Sequence, residues 1–339
     1  MSETISQIVI KTMIRKALRD IRESPERSTR NLVDLAAQFA GSRFQQHFFG
    51  TAQKMLEDPE STYYTLAKNL ANRVEDERII TFGMNLGYNG CMNGAERIRR
   101  SEAELNCNIP WAIALEIGSD NFRNHAKQYH DLITQGESLG IHTWMLFSAG
   151  DPFSCLELAS GHPNSAFTLF CDSTQISWTL IDCMENANNI MLSIPIDKFA
   201  PTACSLLRET GLLYSVYHTY TKDDLSRIEN GTLFKEIARN DPIFAILIPE
   251  KNCPMDVRTR VIQHVQQTRL DPKYPVIPWD LIGDTLLVDS IISDEAVWVS
   301  FDKNGELYQQ RDTMPILGCN IFETDLTAIL LRGRKKDLP

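Results

Sequence analysis

The stretch Asn108-Ile-Pro-Trp-Ala-Ile-Ala-Leu-Glu-Ile-Gly118 decides the fold, because it is an apolar run of strand length that closes on a glycine. Such a run is typical of a parallel strand that is buried on both faces. Residues 124–139 follow with apolar side chains at helical spacing and a terminating glycine, Gly140, which predicts a helix with one buried stripe. His142-Thr-Trp-Met-Leu-Phe-Ser148 is the next predicted strand, so these residues form one strand, helix, strand unit.

The same alternation continues toward the C-terminus. Four further apolar runs of strand length are interleaved with helical patterns. The predicted strands are 165–170, 190–196, 212–220 and 242–249, and the predicted helices are 175–185, 201–210, 225–238 and 254–268. Because strands and helices alternate in this way, we expect an α/β fold in which residues 107–275 form a parallel, partly open (β/α)6 barrel, a partial TIM-like barrel.

Both ends of the chain differ from this repeat. Residues 1–106 carry amphipathic patterns that predict a helical extension, with a first helix near Ile5, then helices over Asn31–Phe39, Arg43–Leu56 and Ser61–Val74, and a short strand over Ile79–Gly87. Residues 276–339 contain a hairpin signal, an Asn304-Gly305 turn between strands over 296–301 and 306–309, and then a last helix. The sequence therefore predicts three regions, 1–106, 107–275 and 276–339.

Composition restricts the classes of partner. The 339 residues carry a net charge of −10, and phosphate binding needs a basic face, so nucleic acid is not expected as a partner. The sequence has no signal peptide and no apolar run long enough to cross a bilayer, which predicts a cytoplasmic protein without a membrane partner. The eight cysteines are scattered singly, a pattern that predicts reduced thiols rather than a disulfide framework or a zinc knuckle.

Three stretches resemble a group of radical SAM proteins. They are Asn108-Ile-Pro-Trp-Ala-Ile113, Gln135-Gly-Glu-Ser-Leu-Gly140 and Ala149-Gly-Asp-Pro152. The resemblance covers most of the chain from about Cys107 onward and implies the same partial barrel. In that family the loop after the first strand carries three cysteines that hold a 4Fe-4S cluster, and a Gly-Gly-Glu-Pro motif lies along the methionyl group of SAM.

The sequence departs from the family where the chemistry is carried. Residues 118–125 contain no cysteine, the Gly-Gly-Glu-Pro motif appears only as Ala149-Gly-Asp-Pro152, and Ser290 and Gln309 stand where relatives have cysteines for further clusters. The comparison therefore implies that no 4Fe-4S cluster is bound. Because the iron of that cluster chelates SAM in the relatives, we expect SAM to bind weakly or not at all.

Residues at the ends of parallel strands face the ligand site in folds of this class. The candidate ligand-binding residues are accordingly Glu116, Asp120, Ala149, Gly150, Asp151, Pro152, Cys171, Asp172, Asp197 and His218. Each also has a structural interpretation, because the aspartates can cap helices and the cysteines and His218 can be core residues. We assign no catalytic residue and no metal ligand, and a metal set of Cys155, Cys171 and His218 stays as an alternative.

Three functions are compatible with these observations. The first is a pseudoenzyme that keeps the fold and acts as a binding or regulatory partner of a true radical SAM enzyme or of a peptide substrate. The second is an enzyme that uses the carboxylates at the barrel mouth on a small molecule, and the third is a residual SAM binder. The apolar N-terminal helices, with Phe44, Phe48 and Phe49, also predict a protein partner or a homo-oligomer, unless packing within the chain buries them.

Overall fold

The computed structural model describes residues 5–38, 43–293, 295–309 and 314–333. Over these ranges the chain has an α/β fold with nine strands of a mostly parallel sheet. The strands are β1 (Ala112–Gly118), β2 (Thr143–Ala149), β3 (Ala166–Phe170), β4 (Ile190–Pro195), β5 (Tyr214–Tyr220), β6 (Phe244–Pro249), β7 (Ile277–Asp280), β8 (Val299–Phe301) and β9 (Leu307–Gln309). The expected α/β class is therefore confirmed.

Helices connect and flank the strands. In chain order they are α1 (Ile5–Glu23), α2 (Pro25–Gln38), α3 (Arg43–Met55), α4 (Thr62–Arg73), α5 (Asp76–Gly83), α6 (Ala95–Leu105), α7 (Ser119–Leu139), α8 (Phe153–Ser160), α9 (Trp178–Cys183), α10 (Ala200–Glu209), α11 (Leu225–Glu229), α12 (Thr232–Ala238), α13 (Met255–Leu270), α14 (Leu281–Ile292) and α15 (Leu326–Gly333). A π-helical segment, Met84–Gly94, joins α5 to α6. In the part of the chain that the structure describes, no helix combines the length and the apolar character needed to cross a membrane.

The elements group into two compact units, each built from two separate pieces of the chain. The first unit comprises residues 1–84 and 194–281, and the second unit comprises residues 85–193 and 282–339. The regions 1–106, 107–275 and 276–339 were predicted from changes in the sequence pattern along the chain, not from spatial grouping, and they stay a prediction.

The second unit contains residues 190–193 of β4 and, in this order across the sheet, β3, β2, β1, β8 and β9. Parallel pairing aligns Ile113 with Trp144 and Trp144 with Phe167, so these three fully buried side chains lie side by side on one face. Helix α7 packs on this face. A Cβ atom at Gly136 would lie 2.5 Å from the Trp144 ring, so glycine permits this close approach of helix and sheet.

The opposite face of the same strands carries the alternate residues. Ala114, Met145 and Thr168 are aligned in one row, and Glu116, Phe147 and Phe170 are aligned in the next row toward the carboxyl ends. Glu116, Phe147 and Thr168 are only partly buried. The two faces therefore differ. Side chains on the face that α7 covers are fully buried, whereas some side chains on the opposite face are partly exposed to solvent.

The first unit contains the parallel strands β5, β6 and β7 and the N-terminal helices α1–α5. The guanidinium of Arg22 donates a hydrogen bond to the Ala71 carbonyl at 2.7 Å, and the hydroxyl of Tyr63 donates to the Arg269 carbonyl at 3.0 Å, which joins α4 to α13. Phe44 is buried, whereas Phe48 is 53% exposed. Packing within the unit thus buries part of the apolar surface of these helices.

Strand β1 begins later than predicted. The prediction started it at Asn108, but Pro110 lacks an N–H for sheet pairing, and the Trp111 N–H donates to the Asp289 carboxylate at 2.7 Å. The other five predicted strands are observed with similar or shorter bounds, and the predicted hairpin is confirmed as the antiparallel pair β8 and β9. β7 and α14 were not predicted.

The predicted strand over Ile79–Gly87 is wrong, because these residues belong to α5 and to the π-helical segment. The buried residues Ile80, Phe82 and Met84 alternate as they would in a strand. Acidic residues in the first turn of α5 favour the helix through its dipole, a signal that the apolar alternation concealed.

Two predicted helices also have different bounds. The helix over 225–238 is split into α11 and α12 at Gly231, whose φ is +75°. The helix over 175–185 is the shorter α9, preceded by a 3-10 turn at Ser173–Gln175. Phe39, the last residue of the helix predicted over Asn31–Phe39, lies outside the described residues.

Candidate functional site

The carboxyl ends of β1, β2 and β3 lie at one edge of the sheet in the second unit, because these strands are parallel. Eight of the predicted site residues are at or next to this edge, namely Glu116, Asp120, Ala149, Gly150, Asp151, Pro152, Cys171 and Asp172. Asp197 and His218 belong to the first unit, after β4 and on β5. What each can bind depends on what its polar atoms already contact.

Strand β1 enters helix α7 without a loop. Gly118 is the last residue of the strand, and Ser119 is the first residue of the helix. The first turn carries an ion pair between Asp120 and Arg123 at 2.5 Å. Helical geometry is interrupted once, at His125, where φ is −131° and ψ is 23°. The first turn of α7 thus follows β1 directly, and no loop separates the two elements.

Asp151 closes the turn that follows β2. Its carboxylate accepts hydrogen bonds from the Ser119 hydroxyl and from the Phe153 N–H, the latter at 3.0 Å. Gly150 has a φ of +131°, which favours glycine, and its carbonyl accepts a hydrogen bond from the side-chain amide of Gln175. The polar groups of this turn are therefore engaged within the chain.

Asp172 and Gln175 form a capping box after β3. The Asp172 carboxylate accepts the Gln175 N–H, and the Gln175 side chain accepts the Asp172 N–H at 2.9 Å. Cys171 next to them is buried, and this burial raises the pKa of its thiol to about 12. Burial likewise raises the pKa of the Cys155 thiol. Both thiols are thus neutral near pH 7, as expected of core cysteines.

The two candidates in the first unit are also engaged. The Asp197 carboxylate accepts the N–H groups of Phe199 and Ala200 at 2.8 and 2.9 Å, so it caps α10. His218 Nε2 lies 3.0 Å from Asp224 Oδ1. Partial burial opposes ionisation of Asp224, but hydrogen bonds from Thr221 and His218 hold the pKa of this carboxyl below its usual value.

The structure brings together no metal-binding group among the residues it describes. No three side chains of His, Cys, Asp or Glu converge there in a way that could hold a metal ion. Cys155, Cys171 and His218 therefore do not form the alternative metal set.

A short sequence, Asp-x-Phe, recurs after two strands and has the same geometry each time. In Asp151–Phe153 and in Asp197–Phe199, the carboxylate accepts the backbone N–H two residues later. Phe153 starts α8 and is 40% exposed, while Phe199 immediately precedes α10 and is 45% exposed. In both units the carboxylate fixes the backbone that carries an exposed ring.

Trp178 extends this pattern to the turn after β3. Ser177 caps α9 by accepting the Leu180 N–H at 3.4 Å, and Trp178 is the first residue of that helix. Its side chain is 62% exposed, which is unusual for the largest apolar side chain. Phe153, Trp178 and Phe199 are called the strand-end aromatic residues below.

Glu116 is the exception among the candidate carboxylates. Among the described residues none donates a hydrogen bond to it, although it is partly buried. Pairing places it opposite Phe147 and Phe147 opposite Phe170, and the two rings are stacked with centroids 4.4 Å apart and planes 7° apart. The same row ends at Ser193, which pairs with Phe170.

Ser193 is fully buried, and its hydroxyl has no hydrogen-bond partner within the described chain. We call Glu116, Phe147, Phe170 and Ser193 the second-face row. The sequence analysis identified Glu116 but missed the other three. Alternation along each strand was the available signal, since every member stands in phase with the face that α7 does not cover.

Two open clefts lie elsewhere, in the first unit. One has a volume of about 520 Å³ and is lined by charged residues such as Arg30, Asp34 and Lys54. The other has a volume of about 600 Å³ and is lined by residues that include Lys222 and Arg260. Neither includes a predicted site residue.

Comparison with known proteins leaves the family of the chain open. No protein-family model matches it, and no curated protein matches it. Two of the solved structures that match are of Streptococcus suis SuiB, one of them bound to S-adenosylmethionine. The bound form is 12% identical with a TM-score of 0.49 over 70% of this chain and 68% of that chain, and the other is 13% identical with a TM-score of 0.48 over 70% of each. Values this low carry no conclusion about activity or ligand.

Proposed function

We propose that this chain is a pseudoenzyme, a noncatalytic binding protein on a radical-SAM-like partial (β/α)6 barrel, and that it holds a partner protein through Phe153 and Trp178, the strand-end aromatic residues of the second unit. The sequence resemblance motivates the fold type. One structural observation carries the proposal: the carboxylates at the strand ends serve to fix turns that present exposed rings, as in Asp151–Phe153 and Asp197–Phe199.

The engagement of these carboxylates argues against a catalytic pair. General acid–base catalysis needs a carboxyl group that can reach a substrate proton and change its protonation state. Asp151, Asp172 and Asp197 instead accept backbone N–H groups, so their carboxylates already have partners within the chain. Glu116 remains, but a single carboxylate lacks the second group that most acid–base mechanisms use.

The residues after β1 do not fit a 4Fe-4S cluster. A cluster of this kind needs several thiolates at one place, whereas the turn from Gly118 into α7 has no cysteine and no loop to carry one. The buried thiols Cys155 and Cys171 have raised pKa values, which opposes the thiolate form that iron requires. We therefore propose no radical step.

Residual SAM binding has less support than partner binding. The Asp151 carboxylate and the Gly150 carbonyl, the groups nearest in sequence to the family motif, are already paired with Ser119 and Gln175. A ligand at this turn would have to break those bonds and compensate for them.

The exposed rings favour a protein partner. Tryptophan at the centre of an interface commonly contributes a large share of the binding free energy, and rings on capped helix starts lose little conformational entropy on binding. Trp178 and Phe153 start successive helices of the second unit and provide two such anchors. Binding of a catalytically complete relative or of a second copy of this chain would bury them.

The test measures association of the purified chain, alone and with proteins encoded beside its gene. Light scattering should detect a complex that Trp178→Ala weakens at least about tenfold, because loss of a tryptophan anchor commonly costs 2 kcal/mol or more. Leu270→Ala, which removes an exposed apolar side chain at the end of α13, is the matched control and should leave affinity unchanged. A strict monomer that binds none of these proteins would contradict the proposal and favour a small-molecule enzyme.

Cluster binding is tested separately. After anaerobic incubation with iron and sulfide, iron analysis should find no stoichiometric cluster. A cubane cluster at one per chain would overturn the noncatalytic part of the proposal while leaving partner binding to be judged by light scattering.

A further inference from the structure

We propose that His130 and His162, called the histidine pair below, form a pH-sensitive contact between α7 and the turn that joins α8 to β3, residues 161–165. The contact holds while the two rings carry at most one positive charge between them, and it breaks when both are charged. Mild acid then loosens the end of α8, which is fixed near neutral pH. This inference goes beyond the proposed partner binding and does not depend on it.

The two rings of the histidine pair lie side by side. His130 Nδ1 lies 3.0 Å from His162 Nε2, and the ring centroids are 5.2 Å apart with planes 27° apart. Gly161 permits this approach, because a Cβ atom there would lie 2.7 Å from Cε1 of His130. His162 is 7% exposed, and His130 is partly buried. The pair is therefore packed into the second unit and is not a contact between two solvated side chains.

A carboxylate lies on the other side of His162. Glu137 Oε2 lies 3.8 Å from His162 Nδ1, and Glu137 Oε1 accepts a hydrogen bond from the Ser165 hydroxyl at 2.7 Å. Burial opposes ionisation of Glu137, but His162 and Ser165 hold the pKa of this carboxyl below its usual value. An ionised carboxylate favours a proton on the nitrogen that faces it, so we assign the proton of neutral His162 to Nδ1. Its Nε2 atom is then the acceptor, and the Nδ1–H of His130 is the donor.

This arrangement tolerates one added proton and not two. A first proton leaves one ring neutral, and the nitrogen without a hydrogen on that ring still accepts the N–H of the charged ring. A second proton puts a hydrogen on both facing nitrogens, so no acceptor remains between them, and two positive charges meet across 3.0 Å. The contact between α7 and the turn is therefore lost at the second step.

The charged groups around His130 do not prevent this loss. Burial and the neighbouring His162 lower the pKa of His130, and Glu157 on α8 and Asp131 on α7 oppose the shift only in part. Asp131 is itself paired with Lys127 at 2.8 Å. A histidine whose pKa is lower in the folded than in the unfolded state contributes fully to stability above the unfolded pKa, about 6.5, and this contribution is lost as the pH falls below that value.

His142 acts on the same turn in the same direction. Its Nδ1 atom lies 3.1 Å from the Asn164 carbonyl oxygen. Burial lowers the pKa of His142, Glu137 and the Asn164 carbonyl oppose this shift, and Arg97 on α6 adds to it. Acid therefore acts on the turn through two histidines whose pKa values are lowered.

Other bonds that hold the turn do not titrate. The Asn85 side chain donates to the carbonyls of Pro163 and Ser165 at 2.9 and 3.0 Å, and the Asn189 side chain donates to those of His162 and Ser165, both at 3.1 Å. Side-chain amides keep the same charge and the same hydrogens in mild acid. Loss of the histidine contact is therefore a local event, and variants that lack the contact should stay folded.

Hydrogen exchange followed by nuclear magnetic resonance tests the contact. The N–H groups of Gly161, His162 and Ser165 each donate to a backbone carbonyl at 3.1 Å, so their protection reports opening of the turn. Protection is compared at pH 5 and pH 8, the range over which histidine changes charge, after correction for the intrinsic pH dependence of exchange. His130→Asn keeps a donor near the Nδ1 position but cannot be charged, and the two residues have similar helix propensities.

We expect acidification to reduce the protection of these amides at least about fivefold more in the wild type than in His130→Asn. The other titrating groups are the same in both proteins, so their contributions cancel. Glu137→Gln keeps an acceptor for the Ser165 hydroxyl but removes the charge that favours a proton on the pair, so it should lose more protection than the wild type does. His47→Asn, exposed on α3 in the first unit, is the matched control and should respond as the wild type does.

Three results would overturn the inference. The first is an equal response to pH in the wild type and in His130→Asn, including a constant offset between them, which a purely structural role of His130 would produce. The second is a weaker response in Glu137→Gln than in the wild type. The third comes from a histidine titration by the same method, which identifies His130 by the signal missing from His130→Asn, and it is a pKa of His130 at or above the ordinary value of about 6.5. Spectra of each variant check that it is folded.

Discussion

The strand-end turns and the second-face row lie next to each other in the second unit, yet they treat polar groups in opposite ways. At the turns, Asp151 and Asp172 accept backbone N–H groups and fix the chain. In the row, Glu116 and Ser193 have no such partner among the described residues. Paired carboxylates contribute to stability, whereas unpaired ones cost stability and are therefore the better candidates for binding.

The largest expected effect concerns a deeply buried paired carboxylate of the second unit, that of Asp289. Asp289 on α14 accepts the N–H groups of Trp111 and Val297, both at 2.7 Å, and is 1% exposed. Asp289→Ala would leave the buried N–H of Trp111 and the partly buried N–H of Val297 without their acceptor, so we expect it to lower the free energy of unfolding by about 3 kcal/mol. Urea denaturation measures this loss. Asp131→Ala, which removes only an exposed pair with Lys127, should change it by less than about 0.5 kcal/mol.

The same carboxylate predicts a pH dependence. Burial, with a smaller contribution from Glu102, raises the pKa of Asp289 to about 7, although its two backbone hydrogen bonds oppose the shift. A carboxyl whose pKa is higher in the folded than in the unfolded state stabilises the fold fully below its unfolded pKa, near 4, and this contribution is lost as the pH rises through 7. Stability should therefore fall from pH 5 to pH 8 more steeply in the wild type than in Asp289→Asn. Parallel curves for the two proteins would refute the assignment.

A smaller loss is expected at the turn after β2. Asp151→Ala removes the acceptor of the Ser119 hydroxyl and of the Phe153 N–H, which should lower the melting temperature by an amount that corresponds to about 1–2 kcal/mol. Asp120→Ala at the neighbouring turn breaks only a solvent-exposed pair with Arg123 and should have almost no effect. Equal losses in the two variants would remove the distinction between a fixing and a surface carboxylate.

The smallest effects, of opposite sign, are expected in the second-face row. Glu116→Gln and Ser193→Ala remove an unpaired charge and an unpaired hydroxyl, so each should leave the free energy of unfolding unchanged or raise it by about 1 kcal/mol. Thermal denaturation measures both variants. A clear loss of stability at either position would mean that the group has a structural partner, and the contrast between row and turns would then disappear.

The alternation of apolar runs and helical patterns was enough to predict the α/β class and most strands. A buried parallel strand reads as a continuous apolar run whatever surrounds it, as the segment from Ala112 to Gly118 illustrates. Local patterns failed where they were ambiguous or too short. The run over Ile79–Gly87 alternates like a strand, and β7 is too short to produce a pattern of its own.

The candidate site could be predicted only in part. Position after a strand located the aspartates, and the capping alternative considered for Asp172 is what the structure has. Sequence could not tell that Asp151 would meet Ser119, 32 residues away, or that Glu116 would receive no donor. Both depend on which side chains the folded chain brings to the same place.

The sequence by itself determined most of the strands and helices, where cysteines are missing after β1, and which polar residues follow a strand. These properties follow from local composition and spacing, which act before any tertiary contact forms. Only the tertiary structure decided which of those polar residues accept hydrogen bonds as caps and which receive none from the described chain. Parallel pairing across β1 to β4 set Glu116, Phe147, Phe170 and Ser193 in one row, because register joins residues that lie far apart in sequence.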